Sequence, residues 1–515
     1  RWAKHYIKSE IASKYQVRLQ FDFMGDVFAR DLSEELLSQA LDFERRNSNY
    51  EAFEAKCRQF RLEQDRESRK LALRTARLPA SHPQAWKRRE GNYVLSHQRY
   101  QLPVGQGGFH VGTLEKLASD TAIWSASING DAIPSADFLY VYDCGSEPKK
   151  GVVKEIRSIV ARRPSRYLDM LFVSHFDRDH ICGIPHLLEE STGLRVDTIV
   201  MPYLDAVSRI IAFGRCANIT GDRISERFHK DLVIDPVGTM NRFNPRQIIM
   251  VMPSDEEGDT GFFELPIVDP PISGPDSTPW EAVNLSSVRQ EPGGATVVKD
   301  LEFNIAPDRY GGWLLKPYVK RASREDREAF SAAVEVLLRW PRGSFHDRVQ
   351  KKSERALMVT KHRTAVSRAY EWAFGDKNEA SLLLYSGPAH PQKAGAVYRG
   401  MTECEIARVG WLGTGDANLK DAVAVRDFQT WYSDQLDWLM SFMLPHHGSA
   451  HNYDPSISVV DAEVWIAAAE PTRSTWKHPA SEIVDAIKKS GAKFRKVGSQ
   501  PETIFKEKMV VFWPK

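Results

Sequence analysis

The sequence has few cysteines and no long apolar run. Five cysteines occur among 515 residues, scattered and without a C-x-x-C pair: Cys57, Cys144, Cys182, Cys216 and Cys404. This pattern disfavours both a disulfide framework and a cysteine zinc cluster. It suits a reducing compartment, so we expect a cytoplasmic protein. No window approaches the roughly 20 consecutive apolar residues of a membrane-spanning helix, so we expect no membrane partner.

A large excess of one charge sign is also missing. Seventy Lys and Arg residues stand against 68 Asp and Glu residues, which gives a formal net charge of +2. The chain as a whole therefore lacks the basic character of many nucleic-acid-binding proteins, and any such surface must be local. The length suits two or three domains, and 42% apolar with 27% charged residues is typical of a globular chain.

The composition and the hydrophobic periodicity of the sequence change three times along the chain. Residues 1–95 carry apolar side chains at helical spacing, and we interpret them as a helical N-terminal segment that packs on the protein or binds a partner. Residues 96–204 contain strand-like runs, glycine turns and a helix pattern. The pattern loosens over residues 205–362, where residues 252–300 are dense in Pro, Gly, Asp and Ser and residues 320–372 are helical and basic, which predicts a loop-rich, then helical, insertion. Strand patterns resume in residues 363–515, so we predict one α/β domain in two halves around an insertion.

A dense set of potential metal ligands follows a buried strand. The strand-like run from Leu168 to Val173 leads directly into the segment SHFDRDH, which contains His175, Asp177, Asp179 and His180. Two carboxylates beside two imidazoles would repel one another or titrate unless cations neutralised them. Ligands of open α/β sheets collect where strands end. We therefore predict a metal site here, with a solvated loop as the alternative.

Three later loops carry the same residue types just past predicted strands or at a helix start. Asp416 lies in WLGTGDAN, His446 and His447 lie with Ser449 in MLPHHGSAHN, and His478 lies in WKHPASE. Each is ambiguous alone, because a glycine turn or a surface histidine would explain it. Together they predict a set of His and Asp side chains gathered at one edge of an α/β domain.

The order of these motifs resembles a known family. VGQGG, YDCGS, SHFDRDHICGI, TGDA, LPHHGS and HP occur in the order found in the metallo-β-lactamase fold, and specifically in the soluble hydrolase domain of ComEC-type DNA-uptake proteins. The similarity covers about residues 98–204 and 378–515. It implies an αββα sandwich with a helical N-terminal segment and a large insertion. It also implies two divalent ions, Zn²⁺ or Mn²⁺, with Mg²⁺ also compatible.

The resemblance assigns roles to individual residues. The implied metal ligands are His175, Asp177, Asp179, His180, Asp416 and His478. Asp416 would bridge the two ions, and Asp143 would support the ligands from behind. His175 and Asp177 can face the first ion, whereas Asp179 and His180 can reach the second. His446 is the candidate that completes the first ion's ligand set, with His390 as an alternative. Asp179 would orient the attacking water, and His446 or His447 would stabilise developing charge or protonate the leaving oxygen.

The function that these features predict is metal-dependent hydrolysis of phosphodiester bonds. A DNA nuclease is the preferred interpretation, and an effector of a bacterial defence system is one hypothesis for its role. Ser449 would contact substrate, and a basic segment would contact DNA through Lys351, Lys352 and Arg355, with Trp340, Phe345 and Trp372 as stacking platforms. A solvated helix face explains the same segment equally well. The alternatives are a phosphodiesterase for small or cyclic nucleotides, and a catalytically idle metal-bearing subunit. We also expect a protein partner that binds the N-terminal helices or the insertion.

Overall fold

The structure is a computed structural model. It describes residues 93–117, 137–147, 149–162, 167–217, 223–253, 280–283, 288–291, 293–308, 311–320, 323–375, 381–391, 394–398, 405–406, 408–420, 422–453, 460–470 and 478–513. The predicted N-terminal helical segment lies outside these residues, apart from its last three positions. The chain divides into two units, Arg1–Pro79 and Ala80–Lys515, and every described residue belongs to the second.

Strands and helices alternate along the described residues. The strands are β1 Tyr93–Gln101, β2 His110–Lys116, β3 Phe138–Tyr142, β4 Tyr167–Phe172, β5 Arg195–Pro202, β6 Gln247–Val251, β7 Trp280–Val283, β8 Val288–Gln290, β9 Thr296–Val298, β10 Glu302–Asp308, β11 Gly311–Lys320, β12 Ser381–Pro388, β13 Gly395–Tyr398, β14 Glu405–Ile406, β15 Gly410–Gly413, β16 Leu439–Met443, β17 Val464–Ala468, β18 Lys493–Val497 and β19 Phe505–Trp513. The helices are α1 Lys150–Arg162, α2 Arg178–Ile181, α3 Ile184–Leu187, α4 Ala206–Cys216, α5 Arg223–Ile234, α6 Pro236–Asn241, α7 Arg324–Leu338, α8 Ser344–Val349, α9 Lys352–Val359, α10 Arg363–Phe374, α11 Ala422–Trp431 and α12 Ser481–Lys489.

The strands form two mixed sheets. The first has the order β14-β13-β19-β1-β2-β3-β4-β5-β6-β9-β8, and the second has the order β18-β17-β16-β15-β12-β11-β10-β7. Strands β3, β4, β5, β6 and β9 run parallel to their neighbours in that series. Strands β15 to β18 are parallel in the second sheet. Most other pairs are antiparallel, so the α/β class predicted from the sequence is confirmed.

The two sheets pack face to face, and helices cover their outer faces. Strand β3 shows why, because successive side chains of a strand point to opposite faces. Leu139 and Val141 belong to a core shared with helix α1, whereas Tyr140 and Tyr142 belong to the core between the sheets. The inner core also holds Trp313, and a third core joins the second sheet to α11 and α12. A strand buried on both faces therefore reads as the continuous apolar run FLYVY.

Several predicted elements are confirmed, and one interpretation is incomplete. The apolar stripe Val152, Ile156 and Ile159 is the buried face of α1. The described parts of residues 205–362, however, do more than form a loop-rich insertion followed by helices, because they contribute strands to both sheets. Residues 247–251 add β6 to the first sheet, and residues 302–320 supply β10 and β11 to the second. Short apolar runs such as QIIMV are masked by the Pro- and Gly-rich sequence around them. The later half is helical as predicted, through α7 to α10.

Helices α4, α7, α8, α9 and α10 bury their apolar faces in a core of their own. Phe213, Phe330, Val366 and Phe374 belong to it. The end of α4 is thereby fixed in place beside the loops described below. Among the described residues, no helix combines the length and apolarity needed to cross a bilayer.

Candidate metal centre

The predicted ligand loops meet at one end of the two sheets. Asp143 follows β3, the segment from Ser174 to His180 follows β4, Asp416 follows β15, and His446 with His447 follows β16. Backbone hydrogen bonds tie these loops together. The N–H of Leu382 donates to the carbonyl of Ser174 at 2.6 Å, and that of His446 donates to the carbonyl of Gly415 at 3.0 Å. Residues more than 200 positions apart therefore share one buried site.

Four side chains form the centre of the site. The Oδ1 atom of Asp416 lies 3.2 Å from Nε2 of His180 and 3.7 Å from Nε2 of His447. The Oδ2 atom of Asp179 lies 3.2 Å from the same nitrogen of His447. The ligand atoms of Asp179, His180 and His447 lie within 4.8 Å of one another, and so do those of His175, His180 and Asp416. Such spacing lets one cation contact atoms of several side chains.

The imidazole rings are held so that Nε2 points into the site. Nδ1 of His180 lies 2.8 Å from Oδ2 of Asp143, and Nδ1 of His447 lies 2.8 Å from the carbonyl of Ala468. Nδ1 of His175 lies 2.7 Å from Oγ of Ser174, which itself donates to Asp143 at 2.6 Å. These oxygen partners place the proton on Nδ1 of each ring. Oxygen partners behind metal-bound histidines fix the ligand tautomer in this way.

The inward-facing nitrogens lie beside carboxylates and have no other polar neighbour to bind in the described part of the chain. Nε2 of His175, His180 and His447 is buried, and apart from the adjacent carboxylates of Asp177, Asp179 and Asp416 no described residue partners it. Buried polar atoms of folded proteins are nearly always partnered. Three imidazole nitrogens aimed at the same space as the carboxylates of Asp179 and Asp416 form a donor set suited to a divalent metal ion, which would displace the proton that His180 otherwise holds.

The backbone is unusual where it presents these side chains. Asp143, His446 and His447 have positive φ angles of 59°, 47° and 58°, a region that side-chain-bearing residues rarely adopt. Gly108 lies so close that a Cβ atom there would come within 2.9 Å of Asp143 Oδ2 and His180 Nδ1. Gly415, before Asp416, also has a positive φ of 51°. Backbone strain of this kind clusters at functional sites.

The electrostatics of the site favour a cation. Burial acts to raise the pKa of Asp416, yet the surrounding imidazoles of His446, His180, His175 and His447 hold that pKa well below its usual range. Burial acts to lower the pKa of His180, but Asp416, Asp143 and Asp179 raise it well above its usual range. Asp416 therefore remains ionised, and the carboxylates around His180 favour a positive charge beside it.

An arginine that the sequence analysis did not identify completes the site. Arg215, at the end of α4, places Nη1 2.5 Å from Oδ2 of Asp177 and 2.9 Å from Oδ2 of Asp416. Its Nη2 lies 2.5 Å from Nε2 of His446. Nδ1 of His446 lies 2.7 Å from Oδ1 of Asn452, so the tautomer that satisfies both contacts is protonated at Nδ1 and accepts from Arg215. Burial and the neighbouring Arg215 lower the pKa of His446 to about 3.

The fit to the two ions implied by the family resemblance differs between the two positions. Asp179, His180, His447 and Asp416 offer nitrogen and oxygen atoms that converge without an intervening cation, so they fit a divalent ion. The other position does not fit in the same way. Its expected ligands Asp177 and His446 already contact Arg215 and belong to neither group of converging ligand atoms among the described residues.

Two further predicted residues, His478 and Ser449, lie beside the site without joining those groups. The ring of His478 is 5.3 Å from that of His446 between centroids, and burial with the nearby His447 lowers the pKa of His478 to about 4. Ser449 is buried, and its Oγ accepts the N–H of His451 at 3.2 Å. The alternative ligand His390 is exposed and lies away from the site, beyond the end of β12 opposite to Ser381, so that alternative is wrong.

The predicted DNA-contacting segment is wrong at two positions. The guanidinium of Arg355 is buried and donates to the carbonyls of Ile234, Val349 and Gln350 at 2.9, 2.7 and 2.8 Å. It therefore caps neighbouring chain segments instead of facing a phosphate. Phe345 is 0% exposed and cannot stack on a base, because its apolar surface is used in the helical core.

The remaining members of that segment are at the surface. Lys351 is exposed, and Nζ of Lys352 lies 2.6 Å from Oδ2 of Asp235. The Arg348 guanidinium covers the Trp340 ring at 4.2 Å, whereas Trp372 is 60% exposed. The segment is thus mainly a helical packing unit with a charged outer face, which is the alternative that the sequence left open.

No family model matches the chain, and a search of curated proteins found no match. The chemistry of this protein must therefore be inferred from the geometry of the site. That geometry consists of two adjacent groups of ligand atoms, three buried imidazole nitrogens without hydrogen-bond partners in the described part of the chain, and one arginine.

Proposed function

We propose that this protein is a metal-dependent hydrolase of phosphodiester bonds and that its substrate is DNA. The observation that carries the proposal is the convergence of buried, unpartnered imidazole nitrogens on the carboxylates of Asp179 and Asp416. We further propose that the chain has the metallo-β-lactamase fold. Its two face-to-face mixed sheets, its outer helices and the order of its ligand loops support that assignment.

A divalent cation held by Asp179, His180, His447 and Asp416 would lower the pKa of water and offset the negative charge that develops on a phosphodiester. The side chain of Asp179 is 16% exposed, whereas that of Asp416 is 0% exposed. Asp179 is therefore the carboxylate that water and substrate reach. In this proposal it accepts a hydrogen bond from the attacking water and orients it toward phosphorus.

Arg215 and His446 act on the other side of Asp416. The Arg215 side chain is 25% exposed, so its guanidinium can contact a phosphate oxygen while it remains bound to Asp177. His446 is neutral at physiological pH and accepts from Arg215, which keeps the guanidinium oriented. Because planar guanidinium groups match phosphate oxygens geometrically, Arg215 is the residue that holds the substrate's charge.

The preference for DNA rests on a basic face of α1. Lys150, Lys154 and Arg157 are exposed and recur at helical spacing, and they line an open depression of about 510 Å³ together with Lys149 and Val153. Helix α1 begins seven residues after Asp143, the residue that holds His180 in the metal site. These cations therefore lie close in sequence to the site. A row of cations is suited to the successive phosphates of a polymer rather than to one small nucleotide.

The test is an assay of the full chain on several phosphodiesters. Linear, circular, single-stranded and double-stranded DNA are incubated in parallel with 3′,5′-cyclic nucleotides, in the presence of Mn²⁺, Zn²⁺ or Mg²⁺. We expect DNA cleavage that EDTA abolishes and that Asp416→Asn lacks. Cleavage of cyclic nucleotides alone would show that the substrate is a small nucleotide and not DNA. Metal binding without cleavage of any phosphodiester would show an idle metal-bearing subunit.

A further inference from the structure

Arg215 lies where the first of two expected ions would bind. The ligands expected there are His175, Asp177, His446 and the bridging Asp416. Three of them contact the guanidinium instead, at 2.5 Å for Asp177, 2.9 Å for Asp416 and 2.5 Å for His446. A divalent ion in contact with these same atoms would have to lie within the space of Arg215 and beside its positive charge.

We propose that the Arg215 guanidinium permanently replaces the first ion, so that the site binds one divalent ion per chain. This inference rests on the proposed function, since it concerns the same site. The ion would be held by Asp179, His180, His447 and Asp416. Arg215 would supply the second positive charge, and that charge cannot be removed by a chelator or by proton loss near neutral pH.

The carboxylate of Asp416 shows the division between the two cations. Its Oδ1 atom faces Nε2 of His180 at 3.2 Å and Nε2 of His447 at 3.7 Å. Its Oδ2 atom faces Nη1 of Arg215 at 2.9 Å. Asp416, the expected bridging carboxylate, thus has the Arg215 cation on Oδ2, and His180 and His447 on Oδ1.

The position of Arg215 is built into the fold. It occupies the last turn of α4, where Ile210, Ile211 and Phe213 are buried in the core formed with α7 to α10. A guanidinium keeps its charge throughout the physiological pH range, and the carboxylates of Asp177 and Asp416 contact it directly. The guanidinium is therefore charged and fixed in position.

Metal stoichiometry tests this proposal. The full chain is loaded with Mn²⁺ and freed of excess ion, and its metal content is then measured by mass spectrometry with electron paramagnetic resonance as a second readout. We expect one Mn²⁺ per chain with the spectrum of an isolated ion. In Arg215→Ala the space and the anionic ligands are freed, so we expect two ions per chain with exchange coupling. Arg215→Lys, which keeps a cation, should bind one.

The matched control is Arg209→Ala on the same helix. Nη1 of Arg209 donates to the carbonyl of Ile234 at 3.2 Å, away from the site, so this variant should bind one ion. Two ions in the unmodified chain would overturn the inference and leave the proposed function intact. One ion in both the unmodified chain and Arg215→Ala would also overturn the replacement by Arg215. An unmodified chain without any bound ion would overturn the proposed function itself. The unmodified chain gives a decision even if Arg215→Ala does not fold.

Discussion

At the scale of single residues, Asp179 and Asp416 are distinguished by what they contact. Asp416 is buried among four imidazoles and Arg215. Asp179 lies beside His180 and His447 and is partly exposed. We expect Asp179→Ala and Asp416→Ala each to weaken metal binding by more than about 100-fold, because each removes an anionic ligand. Metal titration calorimetry measures this, with the exposed Asp485→Ala on α12 as control. Unchanged affinity in both variants would show that the ligand set is wrong.

The two adjacent histidines of the HHGS loop have different partners. Nε2 of His447 faces Asp179, whereas Nε2 of His446 accepts from Arg215. The sequence left the charge-stabilising role open between the two histidines, and these contacts favour His447 as the ligand and His446 as the partner of Arg215. We expect His447→Ala to lose metal, and His446→Ala to keep it while losing about 10²-fold in turnover. Metal loss in His446→Ala together with full occupancy in His447→Ala would contradict the assignment.

At the scale of elements, the layer between the two sheets contains two buried histidines, His97 and His110. His97 on β1 stacks on Trp313 of β11 with centroids 4.2 Å apart, and His110 on β2 stacks on Trp411 of β15 at 3.8 Å. Both imidazoles are buried and have no hydrogen-bond partner within the described ranges. Burial and the nearby Arg99 hold the pKa of each well below its usual range. The sheets are thus joined by neutral histidines.

This arrangement predicts a pH dependence of stability. In the unfolded chain these histidines gain protons below about pH 6.5, whereas in the folded chain they do not. Their contribution to stability is complete above that pH and is lost as the pH falls, by up to about 1.4 kcal/mol per pH unit for each histidine. His110→Phe keeps an aromatic stack without a titrating group. Its free energy of unfolding should therefore fall less steeply between pH 6.5 and 5, by the uptake of about one proton, or about 1.4 kcal/mol per pH unit.

Urea unfolding at a series of pH values measures that slope. The exposed His390→Gln is the control and should retain the slope of the unmodified chain. Neither substitution changes the metal site, so the difference in slope between the variants isolates His110. An identical slope in His110→Phe would mean that His110 is charged in the folded protein.

The elements also show how far the sequence can be interpreted. Buried strands such as β3 and amphipathic helices such as α1 were predictable, because their periodicity depends only on local burial. The density of ligands in SHFDRDH likewise predicted a site. Strand β6 was missed because proline- and glycine-rich segments surround it. Arg215 was missed because only the tertiary packing of α4 brings it to Asp177, and neither arginine of the run AVSRIIAFGRC gives a local signal of a site.

At the scale of the whole molecule, we propose that charge distribution rather than net charge selects the substrate. We expect a Lys150→Ala, Lys154→Ala, Arg157→Ala triple variant to bind DNA more weakly with a flatter salt dependence. Each lost phosphate contact lowers the slope of log affinity against log salt by about 0.7 to 0.9. Hydrolysis of a small chromogenic phosphodiester should barely change. Fluorescence anisotropy at several salt concentrations provides the measurement.

The comparison variant replaces Lys351 and Lys352 with alanine. Because Lys352 is paired with Asp235 and the neighbouring Arg355 is buried, this double variant should keep the salt slope of the unmodified protein. A flattened slope in the double variant and an unaltered slope in the triple variant would restore the track first predicted from the sequence.

The central claim is that His180, His447, Asp179 and Asp416 bind a divalent ion. Anomalous diffraction from crystals of the Mn²⁺- or Zn²⁺-loaded protein, recorded at the absorption edge of the metal, locates the ion directly. We expect an anomalous peak at coordination distance, about 2.0 to 2.2 Å, from Nε2 of His180 and of His447. A metal-loaded crystal with no peak between these two nitrogens would contradict the claim.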